Sequence, residues 1–291
     1  MEIITSSKNE KLKNISALLS SKKERDKQGL FVIEGLRIFQ DTLKTAPEYI
    51  KDIYVSESFL KEHPADVILG DYSNSMKKRA DMVSLFKPDQ KNVQIYTVKD
   101  SVFDSLSKTV TPQGILCTVS KPEHDLKEIL SLACKNDGSD TANDTQSRFL
   151  ILENIQDPGN LGTMLRTAEA AGASGIIMSR DCADIFNPKV IRSTMGSVFR
   201  VPFVYVEDFT GAVQVLKKSG ITVYAAYLHG GESMREMQFD KKCAIMIGNE
   251  GNGLTDEAVS VADKRVFIPM AGQIESLNAA IAAAILLFHG I

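Results

Sequence analysis

The second half of the chain alternates short apolar segments with amphipathic ones, and this alternation is the feature that most restricts its fold. Strand-like segments are expected at 149–155, 175–178, 203–206, 222–228, 243–248 and 265–268. Helical patterns are expected at 161–171, 210–218, 255–262 and 276–288. Several of the strand-like segments are continuously apolar, which is typical of parallel strands whose two faces are both covered by helices. The pattern therefore predicts an α/β domain built on a parallel sheet.

The first part of the chain has its own alternation. Strands are expected at 30–33, 50–56, 93–98 and 114–120, and helices at 8–20, 35–46 and 74–86. This pattern predicts a small α/β domain. Residues 135–147 contain one apolar residue, Ala142, and many turn formers, so this stretch is not able to form a core. We therefore predict a first domain over 1–120, a linker over 121–147 and a second domain over 148–291.

The composition excludes two classes of protein. No apolar run reaches the roughly 18–20 residues of a membrane span, and the polar N-terminus has no signal-peptide core. A soluble, cytoplasmic protein without a membrane partner is expected. The four cysteines form no CxxC pair and there are only four histidines, so we expect reduced thiols and no metal site. The cysteines are Cys117, Cys134, Cys182 and Cys243.

The charge distribution allows two interpretations of the N-terminus. The formal net charge of −3 is no general sign of nucleic-acid binding. The first 27 residues nevertheless carry 7 Lys and Arg against 4 Asp and Glu. This basic arm could contact phosphates, or it could be the solvated face of a helix.

The first segment that could carry chemistry is 153–172, ENIQDPGNLGTMLRTAEAAG. A strand ends, a Pro-Gly turn is expected, and Asn160 stands where a helix N-cap belongs. Gly172 is a natural stop for that helix. Arg166 lies on the side of the helix opposite its apolar stripe, and taken alone it is a solvated arginine. The stripe consists of Leu161, Met164, Leu165, Ala168 and Ala171.

The second and third segments also follow predicted strands. In 244–254, AIMIGNEGNGL, a strand enters a loop with three glycines, which permit close backbone approach to a ligand but also suit a plain tight turn. In 267–288, FIPMAGQIESLNAAIAAAILLF, a loop leads into an apolar helix that is rich in alanine and expected to be capped near Ser276. Taken singly, Glu250, Ser276 and Asn278 are ordinary loop or cap residues.

The three segments together, in this order, resemble the SpoU (TrmH-like) branch of the SPOUT RNA methyltransferases. The resemblance also covers 188–203, PKVIRSTMGSVFRVPF, and the N-terminal segment resembles the RNA substrate-binding domain of many such enzymes. The matching motif residues are Asn160, Gly162, Arg166 and Gly172, then Gly248, Glu250, Gly253 and Leu254, and finally Ile268, Pro269, Met270, Gly272, Ser276, Leu277 and Asn278.

The resemblance implies a parallel α/β sheet with a trefoil knot in the C-terminal domain and a ribosomal-protein-like fold in the N-terminal domain. It implies a homodimer formed through the C-terminal domain. The implied reaction moves a methyl group from S-adenosyl-L-methionine to a ribose 2′-hydroxyl of RNA, with ribosomal RNA favoured over transfer RNA. No metal is implied.

The resemblance also implies the site residues. The catalytic set is Arg166, Asn160, Glu250, Ser276 and Asn278. The cofactor contacts are Gly248, Asn249, Ile268, Met270, Gly272 and Leu277. Expected RNA contacts are Lys189, Arg192 and Arg200 near the site, and Lys8, Lys11, Lys13, Lys22, Lys23 and Arg25 on the N-terminal arm.

One position departs from the family, and other functions stay open. Many members carry a second serine two residues after the asparagine of the third motif, where this chain has Ala280. A transfer-RNA methyltransferase and a non-catalytic RNA-binding protein of the same fold are the alternatives. A nicotinamide-dependent oxidoreductase requires GxGxxG after an early strand, and the glycine loops here lack that spacing.

Overall fold

The computed structural model describes residues 3–63, 93–107, 112–135 and 146–289. The chain divides into two units. Unit 1 comprises the chain up to Pro122 together with Phe186–Phe199, and unit 2 comprises Glu123–Ile185 and the chain from Arg200 onward. Within the described ranges, no helix has the length and apolar character needed to cross a membrane.

Unit 1 contains a mixed five-stranded sheet in the order β1-β4-β3-β5-β2. Strand β4 is parallel to β1 and β3, whereas β5 is antiparallel to β2 and β3. The four strands predicted in this part are confirmed, and β1 is an additional short strand. The strands are β1 (Ile3–Ile4), β2 (Leu30–Glu34), β3 (Ile50–Ser56), β4 (Gln94–Val98) and β5 (Ile115–Ser120).

Five α-helices of unit 1 precede Pro122 in the described ranges. They are α1 (Glu10–Ser20), α2 (Lys22–Gln28), α3 (Leu36–Thr45), α4 (Glu57–Glu62) and α5 (Asp100–Leu106). The apolar face of α1 is fully buried, as its helical spacing predicted, and the helix expected at 35–46 is confirmed as α3. The helix expected at 74–86 lies outside the described residues.

The prediction that Arg25, on α2, contacts RNA is wrong. Its side chain is buried, and its Nη1 donates a hydrogen bond of 2.6 Å to the carbonyl oxygen of Leu18 at the end of α1. A buried guanidinium bound to a carbonyl joins the two helices and is not presented to solvent. The neighbouring Lys22 and Lys23 are exposed.

Unit 2 contains a seven-stranded sheet that is parallel throughout, as predicted. Its order is β10-β12-β9-β11-β6-β7-β8, and every residue of the interior strand β6 is buried. All six predicted strands are present, and β10 is an addition. The strands are β6 (Ser147–Leu152), β7 (Gly175–Ser179), β8 (Phe203–Val206), β9 (Thr222–Ala226), β10 (Glu232–Ser233), β11 (Lys242–Ile247) and β12 (Lys264–Phe267).

The helices of unit 2 cover this sheet and bury its apolar side chains. The described helices from 123 onward are α6 (Leu126–Lys135), α7 (Pro158–Ala170), α8 (Pro188–Thr194), α9 (Phe209–Lys218), α10 (Asp256–Val261) and α11 (Ala279–Phe288), of which α8 belongs to unit 1. Helices α9 and α10 share one buried core with strands β6, β9 and β11. Helix α6 lies inside the stretch 121–147 that the sequence predicted as a linker. That this stretch is a linker between the two domains stays a prediction. Residues 136–145 lie outside the described residues.

Residues 186–199 pack with unit 1, although the sequence motif that contains them was expected in the second domain. The ring of Phe31 on β2 lies 4.8 Å from that of Phe186 and 5.9 Å from that of Phe199. Tyr49 adds a second ring contact to Phe199, at 5.7 Å. These aromatic contacts explain why a segment distant in sequence becomes part of unit 1.

The C-terminal helix is anchored to β6, an interior strand of the unit 2 sheet. Arg148 on β6 is buried, and its guanidinium donates a hydrogen bond to the carbonyl oxygen of Leu287 near the end of α11. A cation at a helix C-terminus is favourable because the last carbonyls lack partners within the helix. Arg148 therefore stabilises the position of α11.

Candidate active site

Three loops lie at one edge of the unit 2 sheet, at the carboxyl ends of β6, β11 and β12. The first loop follows Leu152 and leads into α7, the second follows Ile247, and the third follows Phe267 and leads into α11. Because these strands are parallel, their carboxyl ends point the same way. The loops carry the three sequence motifs, and this edge is where open α/β sheets bind ligands.

The first loop ends at Asp157, which is the N-cap of α7. Its Oδ1 accepts a hydrogen bond of 2.8 Å from the backbone N–H of Asn160. The prediction that Asn160 caps this helix is therefore wrong, and so is the predicted Pro-Gly turn, because Pro158 begins the helix. Proline is favoured at this position since its missing N–H is not needed there. The Asp-Pro pair was the available sequence signal, and the outcome leaves the Asn160 side chain free for other contacts.

The carboxylate of Glu250, on the second loop, binds the first loop through three hydrogen bonds. Its Oε1 accepts from the Asn160 side-chain amide at 3.0 Å and from the Asp157 N–H at 3.0 Å, and its Oε2 accepts from the Gln156 N–H at 3.1 Å. Partial burial alone would raise the pKa of Glu250, but these hydrogen bonds outweigh it and lower the pKa below its ordinary value. Glu250 is therefore held as a carboxylate.

The third loop joins the same cluster through Asn278. The Asn278 Nδ2 donates a hydrogen bond of 2.9 Å to the Oδ1 of Asn160, and the Asn278 Oδ1 accepts from the N–H groups of Ala280 and Ile281 at 2.9 and 3.3 Å. Asn278 is thus the N-cap of α11, two residues after Ser276, near which the sequence predicted the cap. One continuous path of side-chain hydrogen bonds, Asn278–Asn160–Glu250, now connects the three motifs.

A second carboxylate, on the first loop, binds the second loop. The sequence analysis did not predict this contact. Glu153, directly after β6, accepts hydrogen bonds from the N–H and hydroxyl of Thr255 at 2.8 and 2.7 Å. Thr255 is also the N-cap of α10, through the N–H of Ala258. The only sequence signal was a threonine at a helix start. Together with Glu250, this contact holds the two loops against each other.

Two of the three glycines of the second loop, Gly248 and Gly253, are explained by a tight turn. Asn249 and Gly253 exchange two backbone hydrogen bonds of 3.0 and 2.9 Å, and Gly253 has a φ of +71°. A Cβ atom on Gly248 would lie 2.2 Å from the backbone of Gly253 and of Leu254, closer than real Cβ contacts come. Gly248 is therefore required by the packing of the turn itself. The side chain of Asn249 adds a hydrogen bond of 2.8 Å to the carbonyl of Asn154.

The third loop has an open backbone. From Ile268 to Leu277, no backbone N–H or C=O group hydrogen-bonds to another residue of the described chain, and the stretch from Ala271 to Ser276 is exposed. It contains Met270 and Gly272, and a Cβ on Gly272 would meet no atom within 4 Å. Backbone groups without protein partners are free to bind a ligand that carries both donors and acceptors, such as a nucleoside.

The side chains of two predicted catalytic residues make no hydrogen bond to the described chain. Arg166 lies exposed on α7, and Ser276 lies exposed on the third loop. Both belong to the elements that carry the cluster, because α7 begins next to Asn160 and the third loop ends at Asn278. Ala280, which replaces the family serine, is buried, and its N–H is one of the two that Asn278 caps.

The expected RNA-contacting cations differ in their availability. Lys189 and Arg192 are exposed on α8, but Arg200 is half-buried and pairs with Glu169 through its Nε and through its Nη2, the latter at 3.0 Å. Arg200 is thus engaged within unit 2. No group of three or more His, Cys, Asp or Glu side chains that could hold a metal ion occurs in the described ranges.

Two family models match the chain. The SpoU rRNA Methylase family matches residues 147–288, and the MRM3-like substrate binding domain matches residues 9–117. The boundary of the first match coincides with the start of β6 at Ser147.

Similar proteins match over nearly the whole length. The 23S rRNA (guanosine(2553)-2′-O)-methyltransferase RlmP of Bacillus subtilis is 33% identical over 289 residues, which cover 99% of both chains. The human mitochondrial rRNA methyltransferase 3 is 28% identical and is matched over 96% of this chain and 71% of its own. The crystal structure of an AdoMet-bound rRNA methyltransferase from Sinorhizobium meliloti has a TM-score of 0.77 and 28% identity, with 99% of this chain and 97% of that chain covered.

Proposed function

Because the chain belongs to the SpoU rRNA methylase family, we propose that it transfers a methyl group from S-adenosylmethionine to a ribose 2′-hydroxyl of ribosomal RNA. The observation that supports this reaction most strongly is the path of hydrogen bonds Asn278–Asn160–Glu250. It joins three loops at the sheet edge where ligands bind. A family member that had lost its chemistry would have no need to keep these polar side chains in mutual contact.

The described residues suit S-adenosylmethionine, as the family requires. When bound, it supplies a methyl group on a positively charged sulfonium. The unpaired backbone groups of the third loop, from Ile268 through Met270 and Gly272 to Leu277, would hold its adenine and amino-acid parts. Gly248 and Asn249 would shape the other side of this site. The carboxylate of Glu250 adds a negative charge to the same cluster.

Arg166 is the proposed residue for the ribose hydroxyl. It is exposed and has no hydrogen bond to the described chain, so its guanidinium is available to substrate. Arginine keeps its proton in proteins. We therefore assign it the role of orienting the hydroxyl and stabilising the developing oxyanion. The oxygen would attack the methyl carbon, S-adenosylhomocysteine would leave, and the hydroxyl proton would pass to solvent. Arg166 would act as the general base only if a neighbouring group activated it. Asn160, Ser276 and Asn278 complete the polar surface.

The proposal includes a homodimer, a C-terminal trefoil knot and a cytoplasmic location. Helix α11 supports the dimer, because Ile281 and Phe288 lie two turns apart on one face and are 52% and 48% exposed. Large apolar side chains exposed along one stripe are typical of a subunit interface. The second copy would cover this stripe. We propose that residues 1–120 bind RNA, that 121–147 form a linker and that 148–291 carry out catalysis.

Ribosomal RNA is favoured over transfer RNA because the N-terminal domain matches a substrate-binding domain and the full-length relatives are named for rRNA. The alternative of a non-catalytic RNA-binding protein is less consistent with the retained Asn160, Arg166, Glu250 and Asn278. A single experiment separates these candidates. The protein is incubated with tritiated S-adenosylmethionine and total RNA from a strain that lacks the gene, and the labelled RNA is mapped. We expect the label in a ribose of 23S rRNA. Label in tRNA would identify a tRNA methyltransferase instead. No label in any RNA would contradict the proposed enzymatic activity and favour the non-catalytic RNA-binding protein.

A further inference from the structure

Unit 1 contains a cleft of about 320 Å³, and none of its lining residues belongs to the three loops of the candidate active site. Its walls come from two parts of the chain that are distant in sequence. One wall is the β2–α3 connection with Gln113, and the other is α8 and its C-cap. The lining residues are Glu34, Gly35, Arg37, Ile38, Gln113, Ile191, Arg192 and Met195. All of them belong to unit 1.

Two arginines make the cleft attractive to an anion. Arg37 and Arg192 are both exposed, and neither guanidinium has a hydrogen bond or ion pair with the described chain. Lys189 adds a third exposed cation one turn before Arg192 on α8. The one acidic lining residue, Glu34, accepts a hydrogen bond of 2.5 Å from the hydroxyl of Ser107. Planar guanidinium groups with all their donors available are suited to bind phosphate.

The rest of the cleft surface is suited to a base. Ile38 and Met195 are half-buried, and Ile191 is buried, so they form an apolar surface between the charged groups. Met195 has a φ of +52°, a left-handed conformation that residues other than glycine and asparagine adopt rarely. Strained positions of this kind are found preferentially at functional sites. Here the strained residue contributes its side chain to the cleft.

The side-chain amide of Gln113 lies at the cleft, in space that is open because its neighbour Gly35 has no side chain. Gln113 is exposed, and its Oε1 accepts a hydrogen bond of 3.2 Å from the N–H of Leu36. A Cβ atom on Gly35 would lie 2.6 Å from this oxygen, so a larger residue would displace the amide. The Nε2 of Gln113 has no partner in the described chain and stays available as a donor. Amide groups read the edges of unstacked bases.

We propose that this cleft binds one unstacked nucleotide of the RNA substrate, with its phosphate on Arg37 and Arg192, its base on the apolar surface and a base edge on Gln113. The inference rests on the proposed function, because it assigns the RNA a contact in addition to the reacting ribose. Sequence-specific recognition of RNA depends on such splayed nucleotides. The volume of the cleft is at the small end of ligand pockets, which suits a single nucleotide.

The test compares two double variants of the full-length protein. Arg37→Gln with Arg192→Gln removes the two charges of the cleft, and Lys51→Gln with Lys99→Gln removes two exposed charges of the same unit outside it. The probe is a fluorescently labelled transcript centred on the guanosine that the Bacillus subtilis relative is named for. Affinity is measured by anisotropy over a range of salt concentrations. All four substituted residues are exposed, so melting temperatures equal to the wild type are expected.

The cleft variant is expected to bind the transcript at least about tenfold more weakly, because it loses the charged hydrogen bonds of two guanidinium groups to phosphate. Its salt dependence is expected to be less steep, because fewer phosphates are neutralised. The lysine variant is expected to bind within about threefold of the wild type, since it loses no specific contact. Affinity losses of equal size in the two variants, or none in the cleft variant, would overturn the proposal.

Two further measurements separate the possible failures. Binding is measured without S-adenosylmethionine, so a chain that binds the transcript but transfers no methyl group would refute the proposed function and leave the cleft supported. A titration with guanosine monophosphate tests whether the cleft binds a free nucleotide instead of a nucleotide within RNA. Weak binding of the mononucleotide is expected, and binding as tight as that of the transcript would identify a free-nucleotide site. Crosslinks from 4-thiouridine-labelled transcript to peptides containing 34–38 or 191–195 are also expected.

Discussion

The side chain of Asn278 donates a hydrogen bond of 2.9 Å to the side chain of Asn160, across 118 positions of the sequence. The two ends of the Asn278 amide have different roles. Its oxygen caps α11, and its nitrogen holds Asn160, whose own nitrogen holds Glu250. The start of the C-terminal helix and the polar centre of the candidate active site therefore depend on the same side chain.

This double role can be separated by two substitutions. Asn278→Ser keeps a helix-capping oxygen but loses the Nδ2 amide group that donates to Asn160, and its shorter side chain carries only a hydroxyl. We therefore expect an almost unchanged melting temperature and methyl transfer reduced about tenfold or more. Asn278→Ala loses both roles and is expected to lower the free energy of unfolding by about 1 kcal/mol as well. Calorimetry and single-turnover transfer with tritiated S-adenosylmethionine measure the two effects. Full activity in Asn278→Ser would show that the contact to Asn160 is dispensable.

The carboxylate of Glu250 predicts a pH dependence of stability. Its pKa is lowered in the folded protein, so the folded state favours the ionised form. The resulting stabilisation is fully present above the pKa of the unfolded chain and is lost as the pH falls through the folded pKa. We expect the difference in unfolding free energy between wild type and Glu250→Gln to shrink from about pH 7 to about pH 3. Urea titrations measure it.

A matched control for this experiment is Glu236→Gln. Glu236 is exposed, and its carboxylate makes no hydrogen bond to the described chain. Its substitution is expected to change stability by less than about 0.5 kcal/mol at neutral pH. A wild-type advantage over Glu250→Gln that stays constant across the whole range would exclude the carboxylate hydrogen bonds as its origin.

The sequence predicted the strands well because their signal is local. A buried parallel strand is recognised from its own apolar residues, and all six expected strands of unit 2 are present. The helix caps were harder to predict from the sequence, because Asp157 and Asn160 are both good capping residues and lie only three positions apart. Only the structure shows that Asp157 caps the helix and Asn160 binds Glu250 and Asn278.

Contacts between distant loops had no local signal. The pair Glu153–Thr255 is separated by 102 positions, and neither residue type distinguishes a loop contact from a solvated side chain. The packing of 186–199 with unit 1 depends on ring contacts of Phe31 that no periodicity reveals. The resemblance to a family placed the motif residues in one site, but the hydrogen bonds that connect them required coordinates.

The second loop provides a test of packing with an internal control. A Cβ on Gly248 would collide with the backbone of Gly253 and Leu254, whereas a Cβ on Gly251 would meet only the Asn249 Oδ1 at 3.6 Å. We expect Gly248→Ala to lower the free energy of unfolding by about 1–3 kcal/mol. Gly251→Ala should stay within about 0.5 kcal/mol of the wild type. Chemical denaturation of both variants decides, and equal stabilities would show that the turn adapts to the added methyl group.

The third loop provides a test of cofactor approach. A Cβ atom on Gly272 would meet no atom within 4 Å, and the residue has no positive φ, so the protein itself gives no reason for a glycine there. If the cofactor lies against this backbone, Gly272→Ala is expected to leave the melting temperature unchanged and to weaken S-adenosylmethionine binding about tenfold. Isothermal titration calorimetry measures the affinity, with Gly251→Ala as the control on the neighbouring loop. Unchanged affinity would remove Gly272 from the cofactor site.

Arg166 offers the sharpest separation of catalysis from stability. Its side chain is exposed and makes no hydrogen bond to the described chain, so Arg166→Ala is expected to change the free energy of unfolding by less than about 0.5 kcal/mol. Loss of a group that stabilises a developing oxyanion typically lowers kcat by about 100-fold or more, and we expect a loss of that size. Arg166→Lys should recover only part of it, because an ammonium lacks the planar fork of donors. Arg235 is another exposed arginine of unit 2 whose guanidinium has no partner in the described chain, so Arg235→Ala should retain wild-type kcat. Full activity in Arg166→Ala would remove Arg166 from the mechanism.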